Sequence, residues 1–496
     1  MLDEVKDING FFDLLVRKVF GILSVDGDKT LLTLRSNSFI PHIEEVECLV
    51  GTGFDHKIVS CLRCIGVGSE RRFNRGGTEH VSSIFPHYVS VGDAVLNTVE
   101  ETITEIYFNT NDLPMLFNDS RAFGHIFTSK EALTDLLTHH HEGLEREYSH
   151  GFPLNMPEIS DEPHIFYFTG KMKIFECATP LGVLSVNHGP SIMIDGKSGI
   201  SCENDISASI KLSSPVNFDT AYDCVMTFAR FFSIMAGRTQ ALSAVKLRKI
   251  GLPENSLLDI YSSFKTPVSG APIQHFRDIP ISPIHRPDEF TKVLNNWLAT
   301  EPDWGVGRIQ YLTGLAKSRS YDTDRLVAAA NAFDILPASA TVADSLVSEE
   351  FESARGKCLE ILAGLPKTED RASAIGVLKR WGRANLRSKV LHRATIVKAQ
   401  MPQISEYIDD ILVMAIKTRN YFVHGSDDFN YIKYQRFLPV FTDALEFVFS
   451  VSDLIECGWN SVEWLKQKPS SHHNYGAFLN SLAAIAVELK EERSRK

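Results

Sequence analysis

Residues 267–287 read "PVSGAPIQHFRDIPISPIHRP", with prolines at 267, 272, 280, 283 and 287, and the spacing of apolar residues differs on either side of them. Proline has no N–H to give and a fixed φ, so neither a helix interior nor a central strand passes easily through such a stretch. Before it, short β-branched and aromatic runs alternate with turn residues. Beyond it, apolar residues recur every three or four positions over long segments. With 496 residues, too many for one core, this predicts an α+β multidomain chain. Residues 1–270 form a mainly β, sheet- or sandwich-like unit, residues 271–300 a proline-rich linker, and residues 301–496 an all-α bundle.

"VFGILSVDGDKTLLTLRSN" reads as a hairpin turning at Asp26-Gly27-Asp28. "HKIVSCLRCIGVG", "TITEIYFNT", "HIFYFTGKMKIFECAT", "LGVLSVNHGPSIMIDG" and "ISASIKLSS" read as further strands. In "FDTAYDCVMTFARFFSIMAG" the period changes: Tyr222, Val225, Met226, Ala229 and Phe232 share a helical face, and Gly237 suits the C-terminal cap. After the prolines come "RLVAAANAFDIL", "VADSLVSEEFESARGKCLEILAGL", "RASAIGVLKRWGRANL", "QISEYIDDILVMAIKTRNYFVHG", "YQRFLPVFTDALEFVFSVSDLIECGW" and "YGAFLNSLAAIAVELKEER", all helical in pattern.

The first residues lack the basic start and apolar core of a secretory leader, and no window reaches the roughly 18 apolar residues that span a bilayer. Eight dispersed cysteines suit reduced thiols. The expectation is a cytoplasmic chain with no membrane partner. A net charge of −11 argues against a surface basic throughout, so any contact with nucleic acid rests on a local patch.

The segment "RNYFVHGSDD" closes an amphipathic late helix. Ile404, Ile408, Ile411, Leu412, Ala415 and Ile416 form its apolar stripe, and Gly425 suits its cap. On its last turn stand Arg419, Asn420 and His424. Asn420 and His424 are i,i+4 neighbours, whereas Arg419 lies about 140° round the helix from His424. The arginine and histidine are therefore expected to converge only if the helix end unwinds, or if two copies meet across a dimer. A cationic side chain near a helix C-terminus is also favourable without any chemistry, and that reading stays open.

The helical half resembles the HEPN superfamily, whose metal-independent ribonucleases carry an arginine, often followed by Asn, Asp or His, and a histidine four to six residues further on; "RNYFVH" fits at Arg419, Asn420 and His424. A long β-rich region ahead of such a bundle is similar to the ApeA type of anti-phage HEPN protein. This likeness is carried by "FGILSVDGDKTLLTLRSN", "TEIYFNTNDLPMLF" and the helix after "PVNFDTAYD". The resemblance implies an endoribonuclease without metal or cofactor, acting as a homodimer or higher oligomer. Its implied substrate is RNA, with the tRNA anticodon loop foremost, cut in abortive infection and restrained by the amino-terminal domain until a phage-derived trigger arrives. In that chemistry His424 serves as base or acid, the planar fork of Arg419 takes phosphate oxygens, and Asn420 sets the histidine tautomer or touches the substrate. The products would be a 2′,3′-cyclic phosphate and a 5′-OH. The alternative is a non-catalytic binding or dimerisation module with a ligand- or protein-sensing β domain.

From Arg355 to Lys398 there are eleven Lys or Arg against three acids. Lys379, Arg380, Arg383, Arg387, Lys389 and Arg393 are the candidate RNA contacts, with Trp381 able to stack a base; a solvated helix face explains the same charges. Cys61 and Cys64 in "CLRC" have metal-ligand spacing, with Cys48 nearby, but on a strand they would point to opposite faces. His139, His140, His141 and His150 read as an exposed polar loop. "GVGSERRFNRGG" lacks a phosphate-loop pattern.

Overall fold

The computed structural model describes residues 6–14, 17–74, 77–147, 157–195, 197, 199–264, 272–273, 275–341, 348–379, 384–425 and 429–495. The first strands are β1 (Lys6–Leu14), β2 (Arg17–Val25), β3 (Leu31–Ser36), β4 (Glu45–Gly53), β5 (Ile58–Asn74) and β6 (Gly77–Gly92). All neighbours pair antiparallel, and because β5 pairs with β6 as well as with β4, the ring β1-β2-β3-β6-β5-β4 closes. The expected sheet or sandwich is therefore in part a six-stranded barrel, a closure that removes the edges an open sheet would leave unpaired. β1 shows the alternation that a one-sided interior demands, burying Ile8, Phe12 and Leu14. Phe12 fits only because its neighbours are small: a Cβ on Gly21 or Gly51 would come within 2.7 or 2.5 Å of its ring. The expected hairpin of β2 and β3 is present, turning through a 3-10 segment, Gly27–Lys29.

β6 is long enough to belong to two structures. Its first half pairs with β3, while its second half pairs with β16 (Leu258–Ser262) and opens a second, unclosed part of the same sheet. That part continues through β15 (Leu242–Lys249), β7 (Ile103–Thr110), β14 (Ser207–Val216), β11 (Gly182–Asn187) and β10 (Lys173–Thr179). Two separate ribbons are β8 (Phe123–Phe127) with β9 (His164–Phe168), and β12 (Pro190–Asp195) with β13 (Gly199–Asn204). A short helix α1 (Leu113–Leu116) follows β7. The polyhistidine segment, expected as a loop, is helix α2 (Lys130–Glu147), with His139 and His140 exposed and His150 outside the described residues. Helix α3 (Phe218–Ala236) packs on the open sheet. Asn217 caps its start, and Gly237, at φ 67°, caps its end, as short polar side chains and left-handed glycines commonly do.

The expected linker is not one through its whole length. Pro287 occupies the first turn of α4 (Pro287–Ala316), where a missing N–H costs nothing. The helix runs on for 30 residues with Pro302 inside it. The bundle continues with α5 (Thr323–Asp334), α6 (Glu349–Ala363), α7 (Glu369–Lys379), α8 (Leu386–Gln400), α9 (Ile408–His424), α10 (Tyr431–Tyr434), α11 (Leu438–Glu456), α12 (Ser461–Lys466) and α13 (Asn474–Ser494). Ile404 of the expected stripe precedes α9, in a 3-10 turn. α11 is the central helix, buried along nearly its whole length. No helix among the described residues is long and apolar enough to cross a membrane.

One apolar core runs from the open sheet into the bundle, while the barrel interior is a second. Phe290 of α4 meets Phe117, Phe175 and Phe231 at centroid distances of 5.3–5.8 Å, and Trp297 meets Phe231 at 5.4 Å. Ions follow the same path: Arg230 of α3 pairs with Glu301 at 2.8 Å, Glu301 with Arg308 at 2.9 Å, and Arg308 with Asp453 of α11 at 2.8 Å. Burial alone would lower the Arg308 pKa, but Asp453 and Glu301 outweigh it and hold the pKa above its usual value.

His473 ties the two halves in another way. Its Nδ1 accepts the Tyr475 N–H at 3.2 Å, capping α13, and its Nε2 donates to the Ile234 carbonyl of α3 at 3.3 Å. Only the neutral ring can do both, and burial lowers its pKa from 6.5 to about 4. Between these values the unfolded chain binds more protons, so this contribution is complete above pH 6.5 and is lost as the pH falls toward 4. Over that window wild type should lose on the order of 3 kcal/mol of its stability margin over His473→Gln, whose side chain does not titrate. Parallel denaturation midpoints for the two proteins from about pH 7 to pH 4 would rule this out.

Candidate active site

α9 forms because its apolar positions pack on α5, α8 and α11. It stops where Gly425 turns left-handed at φ 64° and gives its N–H to the Tyr421 carbonyl at 3.0 Å, the usual way for a glycine to end a helix. The helix does not unwind before His424, yet Arg419 reaches His424 within a single chain: Nη1 lies 3.3 Å from Nε2. The expectation that the two groups needed an unwound end or a second copy is thus overturned. The angle between positions 419 and 424 applies to Cβ directions, and the long arginine stem spans it.

The guanidinium is fixed on both sides. Nη1 also donates to the Asn420 Oδ1 at 3.2 Å, and Nη2 donates to the Asn331 Oδ1 at 2.8 Å, with the Asp334 carboxylate 3.8 Å away. The arginine side chain is only 12% exposed, whereas His424 is exposed beside it. Arginine cannot accept a hydrogen bond, so in this contact Nε2 of His424 is the acceptor and the ring proton sits on Nδ1. It is Arg419, and not Asn420, that meets the ring. A fixed cation whose N–H caps the Nε2 lone pair of an exposed imidazole is a pairing that can hold a phosphate oxygen and, once the phosphate draws that N–H away, leave Nε2 free to move a proton.

Asn331 and Asp334 were not anticipated, although they are the polar residues on the last turn of α5, after the apolar run Leu326 to Ala330. Lys389 of α8 joins the same network, donating to the Asp334 carbonyl at 2.8 Å with its carboxylate 3.6 Å away, and so braces the arginine cradle. Of the other expected RNA contacts, Lys379 and Arg387 are exposed, and Arg380, Arg383 and Trp381 lie outside the described residues. Arg393 must be corrected: it is fully buried, pairing with Glu456 at 2.6 Å, donating to Ser452 at 2.9 Å and covering the Trp304 ring at 4.8 Å. Its charge serves the core of the bundle.

The cysteines also differ from expectation. Cys61 and Cys64 both point into the barrel, because Arg63 takes φ 50° and the alternation slips there; so positive a φ is outside the strand range. Their mutual hydrogen bond, followed by burial, raises the Cys61 pKa, while Cys48 faces the other core. Among the described residues no group of three or more His, Cys, Asp or Glu is placed to hold a metal.

Comparison with known families agrees with this architecture. The model for the Apea-like HEPN domain matches residues 327–463, which contain the Arg419 network. The helical half is therefore an HEPN bundle. The model for ApeA N-terminal domain 1 matches residues 9–297, ending inside α4. The chain belongs to the ApeA-type HEPN proteins, a class of anti-phage defence protein. No curated protein and no solved structure matches it significantly.

Proposed function

We propose that this protein is a metal-independent endoribonuclease that cuts host or phage RNA, with the tRNA anticodon loop as its target, to abort infection. The observation that carries the reading is the contact between Arg419 Nη1 and His424 Nε2. Cleavage begins when a base takes the proton from a ribose 2′-OH, and the oxygen then attacks the adjacent phosphorus. Arg419 turns its Nη1 N–H from His424 to a phosphate oxygen, which frees the Nε2 lone pair for this step and sets the cation against the charge that grows on the phosphorane oxygens. The leaving 5′ oxygen takes a proton from a second acid, for which the His424 of a second copy is the proposed source. A single-stranded loop suits the site because its 2′-OH and bases are accessible. The β-rich region restrains the bundle through the shared core until a phage-derived trigger arrives.

The test is an assay of the full-length protein on total tRNA in EDTA, with extract of phage-infected cells added to supply the trigger, beside His424→Ala under the same conditions. Cleavage by wild type with 2′,3′-cyclic phosphate ends, and a loss of on the order of 10²–10⁴-fold in the variant, is expected. Equal cleavage by both would leave the motif with only a packing role.

A further inference from the structure

The barrel has one end at which its walls are uneven. β3 leaves β6 at the pair Ser36 with His80, while the β5–β6 hairpin continues through Arg71 with His80 to Asn74 with Gly77. Along β6, Ile84 and Ser82 are the cross-strand partners of the buried Leu32 and Leu34, and His80 follows two residues from Ser82 on the same face, so His80 and its own cross-strand partner Arg71 carry on the interior face of the barrel past its closed part. Phe73, two residues beyond Arg71, lies on the same face and is 81% exposed. The chain leaving β3 folds over this mouth: Ile40 is buried in the barrel core, while Phe39 stays 60% exposed.

Phe39 is the centre of a small cluster. The His80 ring meets it edge-on at 5.7 Å, the Arg71 guanidinium lies over it at 5.8 Å, and Arg17 donates to its carbonyl. Charge is divided between the two faces of the hairpin. On the far face Arg72 pairs with Glu70 at 2.9 Å and Arg35 with Glu79 at 3.8 Å. On the near face neither Arg71 nor Arg17 has a carboxylate partner among the described residues. In a chain of net charge −11, two unneutralised arginines beside two exposed phenylalanines are a local reversal of sign and polarity together.

We infer that this barrel mouth is a binding site for single-stranded RNA, in which bases stack on Phe39 and Phe73 and Arg71 and Arg17 take the backbone phosphates. Exposed aromatic rings next to unpaired cations match the two chemical features that every unpaired nucleotide carries, a flat face and a charge. An acidic protein would satisfy the arginines but would give Phe73 no flat partner. The site also supplies a footing for RNA that the helical basic stretch gives only in part, since Arg393 is buried and Lys389 is engaged at Asp334. The choice of RNA as ligand rests on the nuclease reading of Arg419 and His424, and the experiment keeps the two apart.

Affinity for a short fluorescent single-stranded RNA would be measured by anisotropy with the full-length chain carrying His424→Ala, so that no cleavage intervenes. Phe73→Ala, at a side chain too exposed to disturb folding, should weaken binding about tenfold. Arg71→Gln should weaken it too, and should lower the slope of log affinity against log salt by about 0.7. Heparin, a polyanion without bases, should respond to Arg71→Gln and not to Phe73→Ala. RNA affinity unchanged in both variants, or undetectable in the parent, would overturn the assignment and leave the face to an acidic protein partner. Cleavage by wild type together with unchanged affinities would sink the barrel site alone. Weakened binding together with no cleavage even in the presence of infected-cell extract would sink the nuclease reading alone.

Discussion

Replacing Arg419 by lysine should slow RNA cleavage by on the order of 10²–10³-fold, the usual cost of removing one fixed donor from a site where charge develops. The substitution keeps the positive charge, so a purely coulombic role would be spared. What it removes is the fork. Nη1 serves Asn420 and His424 while Nη2 is held by Asn331 with Asp334 behind it. A single ammonium on a flexible stem cannot hold both sides at once. Initial rates on tRNA in EDTA, with infected-cell extract added to supply the trigger and circular dichroism to check the fold, would decide the matter. A lysine variant retaining a tenth or more of wild-type activity would show that the fork geometry is not what the site uses.

The largest loss of stability is expected from Asp453→Ala. Arg308 is fully buried, stacked over Trp297 at 4.0 Å, and Asp453 takes its Nε and Nη2 each at 2.8 Å. Removing the carboxylate would leave an arginine deep in the shared core with Glu301 as its remaining acid partner. Stripping one partner from a buried pair costs about 3–5 kcal/mol. Replacing the pair by apolar residues, Arg308→Met with Asp453→Leu, should recover most of that, because the cost lies in the uncompensated charge. Denaturant midpoints for the single and double variants test both statements together. A single variant within about 1 kcal/mol of wild type would contradict the account.

The sequence reveals the elements whose signals are local. α3 and α9 were legible because each combines an apolar stripe with a glycine that turns left-handed at its end. α4 was hidden, since Pro287 and Pro302 look like breaks when helix starts and long helices both tolerate proline. The barrel was hidden for another reason: its closure is a pairing between strands, and nothing within β5 says which partners stand on its two sides. At the site, Arg419, Asn420 and His424 were legible as a motif, but the reach of the arginine was not, because wheel angles ignore stem length. Asn331 stands 88 residues from Arg419. Arg393 shows the converse limit: a run of like charges does not reveal which member is turned inward.

The 30 residues of α4 have a consequence for how such proteins can diversify. The same helix gives Phe290 and Trp297 to the rings of the sheet half and Arg308 to the central helix of the bundle. A recombination at the prolines, or one inside α4, would set one partner's aromatic face against a foreign surface. The two halves are therefore a matched set, and an exchange of either requires the facing side of α4 to be rebuilt with it, the helix being their common keel.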